Sequence, residues 1–184
     1  MRVSREQAKA NRQRVVETAA RLFRERGFDG IGLADLMKEA GLTHGGFYRQ
    51  FPSKDALLME AMTRAFSQSA DQLASRSADQ RIAAYLSKAH RRNPGSGCAI
   101  AALGADVARA EAETQAAFAV GVERLLACVG GDDAAGGGAA RAEAIRTLAA
   151  LVGALVIARA TALGAPELSD EVLTTVRDGL ASHA

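Results

Sequence analysis

The side chains best suited to covalent or metal chemistry are three histidines and two cysteines, and they are scattered along the chain. His44, His90 and His183 stand at none of the short spacings at which proteins present metal ligands. No nucleophile elbow of the Gly-x-Ser-x-Gly type is present, and the carboxylates fall on the polar faces of predicted helices. We therefore expect no enzyme, no metal site and no cofactor.

Cys98 is the thiol whose position most favours reactivity. It begins a predicted helix directly after the turn signal of residues 93–97, and it follows the basic run of residues 90–92. A helix N-terminus and nearby cations both stabilise a thiolate, so the pattern allows a redox or electrophile sensor. The same pattern is also typical of a small buried side chain on an Ala-rich helix. Cys128, at the end of a later predicted helix, is interpreted as packing only.

A turn between two short helices is predicted within residues 33–50. The first helix has apolar residues at three- and four-residue spacing, which gives it one buried face. Gly41 ends this helix, because glycine enters the left-handed conformation without steric cost. Thr43 is predicted to cap a second helix that runs from His44 to about Gln50. The apolar residues of the first helix are Leu33, Leu36, Met37 and Ala40.

The second of these helices has two glycines in its first turn, Gly45 and Gly46. A glycine costs about 1 kcal/mol relative to alanine within a helix, so the pair needs a reason. One reason is close approach to DNA, since the backbone N–H groups of residues without side chains can come near phosphate oxygens or a groove wall. Ser53 is predicted to cap the next helix, which leaves Lys54 able to reach a phosphate. The predicted core residues are Leu42, Phe47 and Phe51, and the predicted DNA-binding residues are Thr43, His44, Gly45, Gly46, Tyr48, Arg49 and Lys54.

At these residues the sequence resembles the tetracycline-repressor (TetR/AcrR) family of bacterial one-component repressors. The shared pattern is Gly, a small apolar residue, Ser or Thr, variable residues, an aromatic-rich Tyr-x-x-Phe and then Ser-Lys-x-x-Leu-Leu. It stands here from Gly41 to Leu58. The resemblance holds residue by residue over residues 12–66, and beyond residue 66 it is limited to the predicted arrangement of helices. It departs at Ile31 and Gly32, where the family usually has a Thr or Ser pair that caps the helix and contacts the DNA backbone. Glycine is still an acceptable cap.

The resemblance implies a homodimer that binds a near-palindromic double-stranded DNA operator and releases it when a small molecule binds. Tyr48 and Lys54 are then expected to bind phosphates, and His44 and Gly45 to lie near base edges. The last two helices would form the dimer interface. The body would hold a pocket for a small, mainly apolar effector. The candidate pocket residues are Met62, Phe66, Tyr85, Cys98 and Phe118.

Composition and charge fit such a two-part protein. Of the 184 residues 48% are apolar, which allows a sizeable core, and three prolines favour helices. Residues 1–54 carry 11 Lys and Arg against 6 Asp and Glu, a net charge of +5. Residues 55–184 carry 12 against 15, a net charge of −3. A basic head on a body without that charge is typical of a polyanion-binding module joined to a sensing module.

No segment of the sequence predicts a membrane span or an export signal. The longest apolar run, Leu148 to Ala158, is 11 residues long and lies between Arg146 and Arg159, so it predicts a core helix. The N-terminus is Arg-rich without an apolar stretch, and the two cysteines are far apart in sequence. We therefore expect a reduced cytoplasmic location.

The chain is predicted to be all-α, with about nine helices in two domains. Residues 1–52 form a three-helix, helix-turn-helix DNA-binding head that begins at a Ser4-x-x-Gln7 capping box and whose first helix ends near Gly27. Arg2 and Arg5 would precede it in an arm or tail. Residues 53–184 form a ligand-binding and dimerisation body. Its predicted helices are four (from 53 to about 73), five (78–92), six (98–110), seven (111–129), eight (139–163) and nine (169–183), with a flexible Gly-rich loop at 130–138.

These patterns together predict a DNA-binding transcriptional regulator, a repressor that a small-molecule inducer releases from its operator. The alternative is a repressor that senses oxidants or electrophiles through Cys98 on the same scaffold, and a third is a helical interaction module that binds no DNA. Nucleotide binding at the Gly-rich loop is not expected, because no strand precedes it and no Lys-Ser/Thr follows it. Helix four runs unbroken from Lys54 into the body, so we expect it to carry the effect of a ligand to the head.

Overall fold

Nine α-helices and two short 3₁₀ turns make up the regular structure of residues 4–131 and 137–182, which the computed structural model describes. No strand occurs among these residues, and the all-α fold class is confirmed. The 3₁₀ turns are His44–Gly46, which we call the recognition turn, and Pro94–Ser96. The helices are α1 (Arg5–Arg26), α2 (Leu33–Glu39), α3 (Lys54–Ala74), α4 (Ala78–Tyr85), α5 (Lys88–Arg92), α6 (Ala99–Val107), α7 (Ala112–Gly130), α8 (Gly138–Thr161) and α9 (Pro166–Ala181).

The first helix, α1, begins and ends where the sequence predicts. The Ser4 hydroxyl accepts a hydrogen bond from the backbone N–H of Gln7 at 3.1 Å, and Gly27 ends the helix with a φ of 76°. The reciprocal half of the capping box does not form, because the Gln7 side chain donates further along α1. Arg5 lies within α1, so the predicted arm is wrong for this residue, and Arg2 lies outside the described residues.

The second helix of the predicted helix-turn-helix is shorter than expected. Gly41 takes the predicted left-handed conformation with a φ of 70°, and Thr43 stands at the N-cap position without a side-chain capping bond. Beyond it, the recognition turn and an irregular turn occupy residues 44–50. The prediction of an α-helix here is wrong, because two glycines and so short a segment do not sustain helix nucleation.

Predicted helix five is divided into α4 and α5. Leu86 leaves the helical conformation, with φ −92° and ψ 42°, and its side chain is buried. Ser87 then caps α5 by accepting a hydrogen bond from the His90 N–H at 3.1 Å. Apolar periodicity does not reveal such a break, since it reports a buried face and not a change of direction. Residues 4–131 and 137–182 still contain nine α-helices, because the division of predicted helix five adds one and the predicted recognition helix is absent.

The helix that joins the head to the body is α3, which packs against both α1 and α7. It is 21 residues long, and its buried stripe runs from Leu57 to Leu73. Gly121 of α7 permits the close approach of α3, because a Cβ at this position would lie 2.2 Å from the Phe66 ring. A single buried core therefore extends from Val15 in α1 to residues of α8 and α9.

The C-terminal helices α8 and α9 pack against each other and leave apolar side chains exposed. By length and composition alone α8 is able to cross a membrane, and 33% of its apolar stretch is buried within the chain. This is weak support for a membrane span, because the core helix of a soluble protein passes the same test. The exposed apolar residues of this region are Ile145, Val156, Ile157, Leu163 and Leu168.

Besides the arm at Arg2, two sequence predictions fall partly outside the described residues. The predicted Gly-rich loop includes residues 132–136, and the predicted end of helix nine includes His183, none of which the structure describes. On either side of that gap, Gly131 and Gly137 have positive φ values of 66° and 84°. Both conformations favour glycine.

Candidate nucleic-acid interface

The recognition turn is supported by buried aromatic rings. Phe47 and Phe51 are 0% and 1% exposed, and their rings stack at a centroid distance of 5.5 Å. Tyr48 lies edge-on to Phe47 at 5.1 Å with 66% of its surface exposed, and His44 lies edge-on to Tyr48 at 6.2 Å. Leu42, the third predicted core residue, is half-buried and packs against the same core. These contacts hold Tyr48 and His44 at the outer surface, as predicted.

The two glycines of the recognition turn have no internal reason to be glycine. Neither has a positive φ. A Cβ on Gly45 would meet no atom within 4 Å, and one on Gly46 would lie 3.7 Å from Thr43 Oγ1, which is ordinary van der Waals contact. Alanine therefore fits both positions and has the higher helical propensity. Neither crowding nor backbone conformation in the described chain therefore requires glycine at these two positions.

Among the predicted DNA-binding residues, Lys54 already has a partner within the chain. Its Nζ donates to the Phe28 carbonyl at 2.8 Å, which ties the start of α3 to the segment after α1. Thr43 and Arg49 are exposed, and Arg49 makes no hydrogen bond or ion pair within residues 4–131 and 137–182. An ammonium has three N–H groups, so two of those on Lys54 are left for a phosphate. No pattern in the sequence indicates the bond to Phe28, because it joins residues 26 positions apart.

A second contact that the sequence did not indicate joins α1 to α3 next to the aromatic rings. Arg12 donates to both carboxylate oxygens of Glu60, at 2.6 and 2.5 Å, and this bond raises the pKa of Arg12. The guanidinium carbon also lies 4.6 Å from the centroid of the Phe51 ring. A bidentate pair fixes the relative rotation of its two partners, so Arg12 holds α1, α3 and Phe51 in register.

A cavity of about 390 Å³ lies in the body between α3, α4, α5, α7 and α8. It brings together Tyr85 and Cys98 of the five predicted pocket residues. Met62, Phe66 and Phe118 do not line it. Phe66 and Phe118 meet edge-on at 5.1 Å where α3 packs on α7, and Met62 is buried in the core. The lining is also less apolar than predicted, because it includes Ser69, Gln72, Arg76, Arg81, Ser87 and Asn93.

Cys98 is buried in the wall of this cavity, with 4% of its surface exposed. One of its predicted cationic neighbours is engaged elsewhere, since Arg91 Nη1 donates to Asp170 of α9 at 2.8 Å. The cations that interact with the thiol are instead Arg24 and Arg159. In the described part of the chain, no group of three or more His, Cys, Asp or Glu side chains is placed to hold a metal ion.

One peptide group connects the cavity wall to the head. The Cys98 N–H donates to His90 Nε2 at 3.0 Å, and the Gly97 carbonyl of the same peptide group accepts from Arg24 Nη1 of α1 at 2.9 Å. His90 Nδ1 lies 2.7 Å from the Tyr85 carbonyl. Since Nε2 accepts a hydrogen bond, Nδ1 carries the proton and the imidazole is neutral.

Burial determines the charge behaviour of the two side chains that hold this peptide group. Desolvation lowers the pKa of His90, and the nearby Arg159 acts in the same direction. Burial also lowers the pKa of Arg24 to about 10, so its guanidinium is still charged at neutral pH. The same guanidinium donates to the Ala20 carbonyl at 2.8 Å and to Gln68 Oε1 at 2.7 Å. Arg24 therefore links α1 to α3 and to the segment before α6.

Comparison with known proteins finds a family match within the N-terminal part of the chain. Residues 15–61 match the family described as bacterial regulatory proteins, tetR family. YerO of Bacillus subtilis strain 168, an uncharacterized HTH-type transcriptional regulator, is 38% identical over 50 residues, which is 27% of this chain and 17% of YerO. Across the first curated relatives, the match covers between 16% and 32% of their own length.

The whole fold is shared with solved structures. A TetR transcriptional regulator from Chloroflexus aurantiacus has a TM-score of 0.76 and 22% identity over 97% of this chain and 96% of its own. The reduced form of E. coli NemR has a TM-score of 0.75 and 23% identity over 93% of this chain and 95% of its own. At such identities the likeness shows the fold alone. Residues 15–61 therefore match the tetR family of bacterial regulatory proteins, and the chain as a whole shares the fold of solved TetR-family regulators.

Proposed function

We propose that the chain is a homodimeric transcriptional repressor that binds a near-palindromic operator through the recognition turn. A small molecule that fills the 390 Å³ cavity would release it. The observation that carries the proposal is the pair Gly45 and Gly46, which no internal contact and no backbone conformation requires. The family is one of regulatory proteins and not of enzymes, which agrees with the expectation that the chain is no enzyme.

Each of the two predicted domains has its own role in this proposal. Residues 1–52 bind DNA, and residues 53–184 bind the effector and the second copy. A cytoplasmic location, in contact with the chromosome, is part of the same proposal. Helix α3 belongs to both domains, because it begins at Lys54 and ends with Gln72 and Leu73 at the cavity.

The roles of the DNA-facing residues follow from their exposure and chemistry. Tyr48 and Lys54 bind phosphates, which sets the affinity for any DNA sequence. His44 and Gly45, at the front of the recognition turn, lie close to base edges and set specificity. The rest of the surface that meets the duplex consists of Thr43, Gly46 and Arg49.

Two connections lead from the cavity to the head. One is α3 itself, whose C-terminal half lines the cavity while its first residue is Lys54. The other is the peptide group between Gly97 and Cys98, which His90 holds from the cavity side and Arg24 from the head side. Two heads read successive major grooves only when they stand about 34 Å apart. A coupling of about 1–3 kcal/mol is enough to change operator affinity roughly 5- to 150-fold.

The dimer is supported by apolar surface that the single chain leaves uncovered. Leu163 is 100% exposed, and Ile157 of α8 and Leu168 of α9 are 50% and 46% exposed. A twofold pairing of α8 and α9 would cover these side chains in a four-helix interface. Replacing Ile157 with glutamate should therefore give monomers in analytical ultracentrifugation. A dimer of unchanged stability would place the interface elsewhere.

Selection of bound sequences from random DNA tests the proposal as a whole. We expect two inverted half-sites whose centres are separated by one helical turn or a multiple of it. Binding without a repeated half-site would contradict a twofold repressor. Failure to enrich any sequence would favour the helical interaction module that binds no DNA.

The salt dependence of binding tests the phosphate contact of Lys54. Replacing Lys54 with alanine should weaken binding to operator and to random DNA alike, and reduce the salt slope by about 1. The matched control is Lys88→Ala, because Lys88 pairs with Asp170 in the body and is 59% exposed. A slope that is equal in the wild type and in Lys54→Ala would remove Lys54 from the DNA contacts.

A second candidate function, the redox or electrophile sensor, is supported by the place of Cys98 in the cavity wall. A reagent small enough to enter the cavity would meet the thiol there. Peroxide or a small alkylating agent should then release the operator from the wild type and from Cys128→Ser, but not from Cys98→Ser. Equal release from all three proteins, or release from none, would leave Cys98 as a packing residue.

A further inference from the structure

The described lining of the cavity is positively charged. Arg76 and Arg81 are its cations, and no Asp or Glu of the described residues lines it. Arg76 donates to the Gln72 carbonyl at 2.8 Å, and Arg81 donates to the carbonyls of Arg76, at 2.9 Å, and of Cys128. Backbone carbonyls fix the position of these guanidinium groups but do not neutralise them. Neither arginine is paired with a carboxylate in residues 4–131 and 137–182.

Tyr85 adds a buried hydroxyl that lacks an oxygen or nitrogen acceptor in the described chain. The residue is 7% exposed, and within the described chain its Oη is buried without a hydrogen-bond partner. Burial, with the neighbouring Cys98 thiol, raises the pKa of Tyr85, so the group is a neutral O–H donor. His90 lies edge-on to its ring at 4.6 Å but cannot accept from it, since both imidazole nitrogens are already engaged. The neighbouring Cys98 thiol is only a weak acceptor, so an oxygen acceptor from a ligand would satisfy this buried O–H better.

The tyrosine and one of the arginines come from the same helix, and both line the cavity. Arg81 and Tyr85 are four residues apart on α4, a spacing that places two side chains on the same face of a helix. A carboxylate has two oxygens and can accept from a phenol and a guanidinium together. The apolar part of the lining consists of Leu73, Leu125, Val129, Leu148 and Leu151.

We propose that the cavity takes a small organic acid whose carboxylate accepts hydrogen bonds from Tyr85 and Arg81 and whose apolar body packs against the leucines. The inference rests on the proposed function only in treating this cavity as the effector site. A volume of about 390 Å³ is at the lower end for ligand sites, which favours an acid with a single ring or a short chain. An amide of the same shape keeps an acceptor for Tyr85 but offers no charge to Arg81. An amine offers neither.

Calorimetric titration of the full chain without DNA tests the chemistry directly. The probes are two matched sets: benzoate, benzamide and benzylamine, and octanoate, octanamide and octylamine. At least one acid is expected to bind, with its amide at least about tenfold weaker and its amine weaker still. The proposal is overturned if neither acid binds at millimolar concentration. It is also overturned if an amide or amine binds as tightly as its acid.

The two tyrosines of the chain provide a matched pair of variants. Tyr85→Phe removes only the buried hydroxyl and should weaken binding of the acid about tenfold. Tyr48→Phe, in the exposed segment that follows the recognition turn, should bind the acid like the wild type. Equal affinity in the wild type and Tyr85→Phe would contradict the proposed hydrogen bond. If the acid binds but does not release the operator, the proposed repressor function is wrong and this inference stands. If a palindromic operator is found but no acid binds, this inference is wrong and the proposed function stands.

Discussion

Replacing Gly45 with alanine should stabilise the fold and at the same time weaken binding to DNA. An added Cβ meets no atom within 4 Å, and the backbone is not in the left-handed region, so the native structure accepts it without strain. Alanine also restricts the unfolded chain more than glycine does, which typically stabilises a protein by about 0.4–1 kcal/mol. In a chain of this size, 1 kcal/mol corresponds to about 2–4 °C in Tm.

The effect of this substitution on DNA binding should have the opposite sign. If the backbone at Gly45 lies against the duplex, the extra methyl group keeps the recognition turn from its close approach. A dimer presents the turn twice, so the loss is incurred at both half-sites. We expect operator affinity to fall at least about tenfold, since about 1.4 kcal/mol summed over both half-sites is enough for that change. Fluorescence anisotropy with the selected operator measures it, beside thermal unfolding of the same samples.

Two other glycines are matched controls for the alanine substitution. Gly41 is also open, with no atom within 4 Å of an added Cβ, but its φ is +70°, so Gly41→Ala should destabilise by about 1–2 kcal/mol. Gly104 of α6 has ordinary contact at 3.9 Å with Phe118, so Gly104→Ala should stabilise without affecting DNA binding. If Gly45→Ala binds the operator as tightly as the wild type, the argument from the recognition turn is refuted.

Three further substitutions test contacts that hold the head on the body. Lys54→Met should lower the unfolding free energy by about 1 kcal/mol in urea titrations, because the Phe28 carbonyl loses its donor; an unchanged value would show that this bond contributes nothing. Arg24→Met should cost about 1–3 kcal/mol, because the loss of its hydrogen bonds to Gly97 and to a glutamine is partly offset by removing a buried charge; a stabilised variant would contradict this. Burial lowers the pKa of His90, so the folded chain binds this proton less readily than the unfolded chain, and stability should fall as the pH drops below 6.5. His90→Asn should lose less stability than the wild type over that range, and parallel curves would exclude His90 as the cause.

Local signals predicted the ends of elements well. Gly27 and Gly41 terminate helices with positive φ, and Ser53 caps α3 by accepting from the Ala56 N–H at 3.0 Å. Each of these features depends on residues within four positions of one another, so it is visible in the sequence. The exposed side chains of the recognition turn were predicted for the same reason. They follow from short-range spacing once Phe47 and Phe51 are assigned to the core.

The sequence did not predict which buried helix faces are packed against another helix and which line the cavity. The periodicity of predicted helix four correctly placed Met62 and Phe66 on a buried face. It did not reveal that Gly121 lets α7 close over Phe66, so that this part of the helix is packed and the cavity begins further along. Leu86 is a similar case, because its burial accompanies a break that the sequence interprets as continuous helix.

The sequence correctly predicted cationic side chains near Cys98, but it assigned them to the basic run of residues 90–92 and not to the arginines that are present there. Arg91 pairs with Asp170, whereas the guanidinium that reaches the peptide group before Cys98 comes from Arg24, which is 73 residues from Gly97. No spacing rule predicts a partner at that distance. The consequence is mechanical: a peptide group is planar, so its carbonyl and N–H turn together. A ligand that displaces His90 must therefore disturb the Arg24 bond as well. For this reason we expect α1, and not α3 alone, to move when the cavity is filled.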